Sequence, residues 1–269
     1  MDLLSLSSLL IWRAAVVLES LILFRGFRGK LLAKYPFFYT YIFGVFISDS
    51  AFSVVYMLHL TAYEKWYWVS TVLMTILGYG IILEVFNHVF SDYPGAEKFA
   101  RITGLITFGV IFCFVIIIYL WVPVKTNAGV PANIEKDLWI AQALLQRDFW
   151  TVQAIFIFAI FGVVSYYKIP VGKNMKGMMV GYGLCLSVTL VTLTLRSYIG
   201  LPFDTTWIFL QPFSFDTSLF IWVTTLWAFH PNPIANPATH MEADYEVFAA
   251  RTRGTIDAMR TYLGKGTRS

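Results

Sequence analysis

Charge is what this chain has least of. Asp, Glu, Lys and Arg together make up 13% of its 269 residues, against the roughly 25% of a soluble domain. Cysteine is nearly absent as well. Cys113 and Cys185 are the only two, each inside an apolar run, with no CxxC or Cys/His spacing. This excludes a disulfide framework, a zinc finger and a c-type haem attachment, and leaves two buried apolar thiols as the simplest expectation. No Lys falls in the interior of a long apolar run, which excludes a retinal Schiff base. No two His residues sit at matched depth on different runs, which argues against a bis-His membrane haem. GxSxG, HExxH and P-loop motifs are missing. The basic residues form no continuous face, so nucleic acid is not an expected partner. Neither a cofactor nor a metal is expected.

What the chain has is apolar length. It is 58% hydrophobic and 18% aromatic, with mean hydropathy +0.66. Seven runs, near 3–24, 36–60, 66–90, 100–122, 148–167, 175–198 and 212–230, approach the roughly 20 residues that cross about 30 Å of hydrocarbon. The pattern predicts an all-α membrane protein. Residues 1–230 form a seven-transmembrane-helix bundle and 231–269 a tail. No Lys or Arg precedes Leu3 and no small-residue cleavage site follows the first run, so it reads as a span and not as a signal peptide. Arg25, Arg28, Lys30 and Lys34 follow the first run, Lys98 and Arg101 the third, Lys168, Lys173 and Lys176 the fifth, and the tail is basic. The positive-inside rule then places the N-terminus outside and the tail in the cytoplasm.

Two segments stand apart from the runs. Between the fourth and fifth, Asn133 is a plausible N-cap ahead of Glu135 and Asp137. The pattern from there predicts an amphipathic lid helix or an extension of the fifth span. In the tail, the prolines at 231, 233 and 237 stop the seventh span. An amphipathic helix is expected near 242–263, with acids leading, bases trailing and Gly264 as its cap. It suits the membrane surface, the protein's own loops, or a membrane or cytoplasmic protein partner.

Polar residues inside membrane-length runs are costly and therefore informative. Midpoint depths place Arg13 and Asp49 together near mid-membrane as an ion pair. They place Glu19, Glu84 and His88 in a layer nearer the cytoplasm, where Glu84 would meet Glu19 and His88 would lie by His230. Arg13, Glu19, Asp49, Glu84 and His88 thus form a candidate intramembrane ligand or ion site, with a structural polar cluster as the plainer alternative. Arg147, Asp148, Arg196 and Asp216 form a candidate outer mouth, with Gln153, Thr189 and Thr192 leading inward. No catalytic constellation is found. Gly177 and Gly181 make a GxxxG suited to close helix packing. GYG occurs at 78–80 and 181–183, at different expected depths and with unmatched flanks, which argues against an inverted repeat.

The stretches KYPFFYTYIF (34–43), LGYGIILEVF (77–86), RDFWTVQA (147–154), FHPNP (229–233) and DYEVFAARTRGTIDAMRTYL (244–263) together resemble a family of bacterial seven-span membrane proteins. The resemblance implies seven helices, a cytoplasmic tail helix and a place in the bacterial inner (plasma) membrane. It implies no activity and no residue roles. The expected function is non-enzymatic: a small-ligand sensor, or a subunit of a membrane complex. The alternative is a small secondary transporter using Arg13, Asp49, Glu19 and Glu84 as a charged path.

Overall fold

The computed structural model describes residues 3–57, 63–93, 132–199, 203–231, 233 and 241–266, together with Ile102, Ile106, Gly109, Val110, Cys113 and Ile117. Among the described residues the chain is all-helical. The elements are α1 (Leu3–Arg28), α2 (Pro36–Met57), α3 (Tyr63–Phe90), α4 (Ala132–Tyr166), α5 (Lys173–Ile199), α6 (Asp204–Leu226) and α7 (Met241–Gly266). The run expected at 100–122 lies largely outside the described residues; the six described within it are helical.

Three stretches, Val69–Phe90 in α3, Gln146–Tyr166 in α4 and Lys173–Leu195 in α5, are long and apolar enough to cross a membrane. The helices are apolar on their outward faces too. Leu10, Val17, Leu21 and Phe24 of α1, Phe43 and Ile47 of α2, Ile155 and Phe158 of α4, and Phe213 and Phe220 of α6 are all exposed. A helix that is apolar all round suits lipid or a protein core.

Helices α1 to α6 pack as a closed ring. Each packs against the next, α6 returns to α1, and α3 also touches α5 across the middle. The core is aliphatic and aromatic, with Phe38, Ile42, Ile81, Val85, Ile157, Ile160, Met178, Leu219 and Trp222 fully buried. Phe38 of α2 meets the Trp222 indole of α6 edge-on, at 5.1 Å between centroids. The Trp222 Nε1–H points to the Met178 carbonyl of α5 at 3.4 Å.

Of the two readings for the segment before the fifth span, the extension holds: both form one continuous helix, α4, of 35 residues, or about 52 Å at 1.5 Å per residue. Several boundaries differ from the sequence expectation. Asn133 lies inside α4, so the start is upstream of that residue. Helix α6 starts at Asp204 and runs through Pro212, which had marked the expected start. One missing N–H is tolerated where neighbouring helices compensate. Helix α7 continues to Gly266, so Gly264 is interior and not a cap.

Two turns share a construction. At the end of α1, Lys30 has φ 54°, and the Leu31 N–H donates to the Gly26 carbonyl at 3.0 Å. At the end of α4, Lys168 has φ 51°, and the Ile169 N–H donates to the Val164 carbonyl at 3.0 Å. Both are Schellman closures, in which the left-handed residue is usually Gly. Lys bears the strain of that conformation, while its charge favours a helix C-terminus. Lys168→Gly is therefore expected to raise stability by about 0.5–1 kcal/mol. Thermal unfolding of the purified protein in detergent checks this; an unchanged or lower midpoint would show that the lysine charge outweighs the strain.

Candidate functional site

The polar interior divides into two clusters and a bridge. The first cluster lies where the α1–α2 and α4–α5 turns meet the end of α6. Glu84, on α3 and 3% exposed, reaches the first turn of α2. Its Oε1 accepts the Phe37 N–H at 3.2 Å and its Oε2 the Phe38 N–H at 2.9 Å. The first turn of a helix presents backbone donors that no residue of that helix can satisfy. Here Pro36 has none, Glu84 takes two, and the Tyr39 N–H donates to the Tyr35 carbonyl at 3.1 Å. A carboxylate from one helix thus caps another and faces the positive end of its dipole. His88 Nδ1 lies 2.9 Å from the Glu84 carbonyl, and its ring packs on Tyr35 at 5.1 Å.

Asn174, near the start of α5 and fully buried, does the converse for α6. Its Nδ2 donates to the carbonyls of Thr225 at 3.2 Å and Ala228 at 2.9 Å. Its Oδ1 accepts the His230 N–H. Lys34 Nζ sits 3.0 Å over the Phe229 ring, tying the α1–α2 turn to the same end of the bundle. Sequence reading passed over Asn174. An Asn opening an apolar helix beside a helix-terminating proline segment was the available signal.

The bridge lies between α3, α4 and α5. Gln153 Nε2 donates to the Thr75 carbonyl at 2.9 Å, and Gln153 Oε1 accepts the Tyr182 hydroxyl at 2.7 Å. The Tyr79 hydroxyl donates to the Phe149 carbonyl at 3.1 Å. A Cβ on Gly78 would strike both the Tyr182 hydroxyl and Gln153. The two GYG tripeptides therefore lie side by side, not at different depths.

The second cluster is acidic. Glu19 of α1 faces Asp49 of α2, and Asp216 of α6 acts on both. Glu19 is 0% exposed, while Asp49 and Asp216 are half-buried. Among the described residues, no donor reaches either Glu19 oxygen or Asp216 Oδ1, all of them buried; the close neighbour of Glu19 is the Asp49 carboxyl. Among the described residues no basic side chain acts on the three. Tyr41, Cys185 and Tyr182 continue the polar lining from this trio to Gln153.

The expected groupings are thereby redrawn. Arg13 is exposed on the outside of α1 and does not pair with Asp49. Glu84 is engaged with α2, and the carboxylate that Glu19 meets is Asp49. Asp216 belongs to the interior trio, because α6 begins eight residues before the expected start. Arg147 pairs with its neighbour Asp148 at 3.2 Å on the surface. Arg196 lies on α5, and its side chain is outside the described residues. Among the described residues no group of three or more His, Cys, Asp or Glu side chains is placed to hold a metal ion. Comparison with protein-family models, curated proteins and solved structures gives no match.

Proposed function

We propose that this chain is a non-enzymatic, multi-pass inner-membrane protein that senses a proton at Glu19, Asp49 and Asp216. The observation that carries the reading is the trio itself: three mutually interacting carboxylates in the interior, two of them with buried oxygens that no donor reaches, and no basic partner among the described residues. Such groups cannot all stay charged in an apolar medium without a compensating positive charge. A proton shared between Glu19 and Asp49 supplies it. A bundle sealed by that charge responds to its arrival and loss.

Seven crossings are supported by the direction of the chain. The ends of α1, α3, α4 and α6 gather at one face, as the Glu84–Phe37, Asn174–Thr225 and Lys34–Phe229 contacts require. Helices α3 and α4 therefore run the same way, which supports a further crossing between them. The gathered face is the one with Arg28, Lys30, Lys168, Lys173 and Lys176, which the positive-inside rule places in the cytoplasm. The transporter alternative is less well supported. Its path needed Arg13 and Glu84 in line with Asp49, and Arg13 faces outward while Glu84 is spent on α2.

A neutral isostere separates this reading from ordinary packing. Glu19→Gln is expected to raise the unfolding midpoint in lipid nanodiscs by a few degrees, on the order of 1 kcal/mol, because it removes repulsion without changing shape. Infrared difference spectra recorded on acidification should show a carboxylic-acid band that Glu19→Gln deletes. A destabilised Glu19→Gln protein, with an infrared response equal to wild type, would overturn the proposal.

A further inference from the structure

We infer that α7 is a membrane-surface helix whose apolar stripe seats on a bilayer bearing anionic headgroups at the cytoplasmic face; the inference rests on the membrane reading above. Helix α7 packs extensively against no other described helix. One tie to the bundle among the described residues is the Tyr167 hydroxyl, which donates to Asp244 Oδ2 at 3.2 Å. Tyr167 closes α4, next to an exposed Tyr166 and the basic α4–α5 turn. Both tyrosines are of the type that marks a membrane interface. The helix therefore begins at interface level.

Its sequence is arranged to stay there. Phe248, Thr252, Ile256 and Met259 recur at helical spacing, and the three apolar members are 60%, 46% and 61% exposed. Arg251 and Arg253 stand on opposite flanks of that stripe, while Glu246 and Asp257 lie on the far side. A helix with an apolar stripe, arginines on its flanks and Glu246 and Asp257 on the far side fits the boundary between acyl chains and anionic headgroups. Asp244, at the tethered end, is the acid that meets the bundle; a seat of the whole helix on the protein's own basic turns would call for acids farther along the stripe, where Thr252, Ile256 and Met259 stand. Tethering beside α4 keeps the stripe at high local concentration over the lipid, so modest apolar area suffices.

Single cysteines in the full-length protein, in a background with Cys113 and Cys185 replaced by Ala, test this. Phe248→Cys, Met259→Cys, Glu246→Cys and Asp257→Cys are each labelled with a polarity-sensitive fluorophore. The protein is reconstituted into nanodiscs of phosphatidylcholine with or without phosphatidylglycerol, using acyl-brominated lipid as quencher. The expected result is at least about twofold stronger quenching at 248 and 259 than at 246 and 257, increased by phosphatidylglycerol and reduced by salt. Equal quenching on both faces would overturn the inference. So would stripe probes shielded from water yet unquenched by bromine, which indicates a protein seat, whether its own loops or a second copy. Failure of the membrane reading is seen separately: the protein would then leave the vesicles on alkaline extraction, with or without residues 241–269.

Discussion

Glu84→Ala is expected to lower the stability of the folded bundle by about 3 kcal/mol. The substitution removes both acceptors of the Phe37 and Phe38 N–H groups, at distances of 3.2 and 2.9 Å. It also removes the negative charge at the start of α2. Losing an ordinary helix cap costs about 0.5–2 kcal/mol, and each buried donor left unpaired costs about 1–3 kcal/mol. These contributions overlap and do not add. Glu84→Gln keeps one acceptor oxygen, so about half of the loss should remain. Thermal unfolding in nanodiscs gives the ranking. Hydrogen exchange localises it, with protection falling first at residues 37–42. Equal behaviour of Ala and Gln would mean that acceptor geometry contributes nothing and only charge matters. An unchanged Ala variant would remove the capping account altogether.

The other large effect belongs to α5 against α6. A Cβ on Gly177 would overlap the Thr225 side chain down to its own Cβ, and one on Gly181 would overlap the Trp222 indole. Thr225 is branched next to its backbone and Trp222 is fully buried, so neither can swing aside. Ala at either position should cost about 1–3 kcal/mol by overpacking, and Leu at Gly181 should prevent α5 and α6 from closing. Gly162 is the internal control. It lies on the exterior of α4 with open space at its Cβ position, so Gly162→Ala should be neutral or stabilise by up to about 1 kcal/mol. Equal losses at all three sites would point to helix propensity in lipid and not to close approach.

The helices were legible in the sequence because apolar runs of membrane length leave few alternatives to α-helix. The tail helix was legible from its acids, its bases and its spacing. The polar pairings were not, for two physical reasons. Depth along a helix says nothing about which way a side chain faces: Arg13 points outward, and the α1 residue that meets Asp49 is Glu19, six residues further on. Depth also depends on knowing where a helix begins. The apolar run near 212–230 set the start expected for α6, whereas the helix opens at Asp204, and eight residues move Asp216 by about 12 Å, from the mouth to the interior. The partners of Glu84 are backbone N–H groups, which carry no letter in the sequence. Asn174 was overlooked because the carbonyls it holds belong to the far end of another helix.

The packing of α6 against α1 has a consequence for how the chain is made. Every other neighbour in the ring is near in sequence and can form as synthesis proceeds. This contact joins segments roughly 200 residues apart, and separations of that size are the slow ones to close. Until α6 emerges, Glu19 has Asp49 beside it but neither Asp216 nor the wall that α6 provides. A nascent chain stalled before residue 204 would carry an open seam with a carboxylate in it.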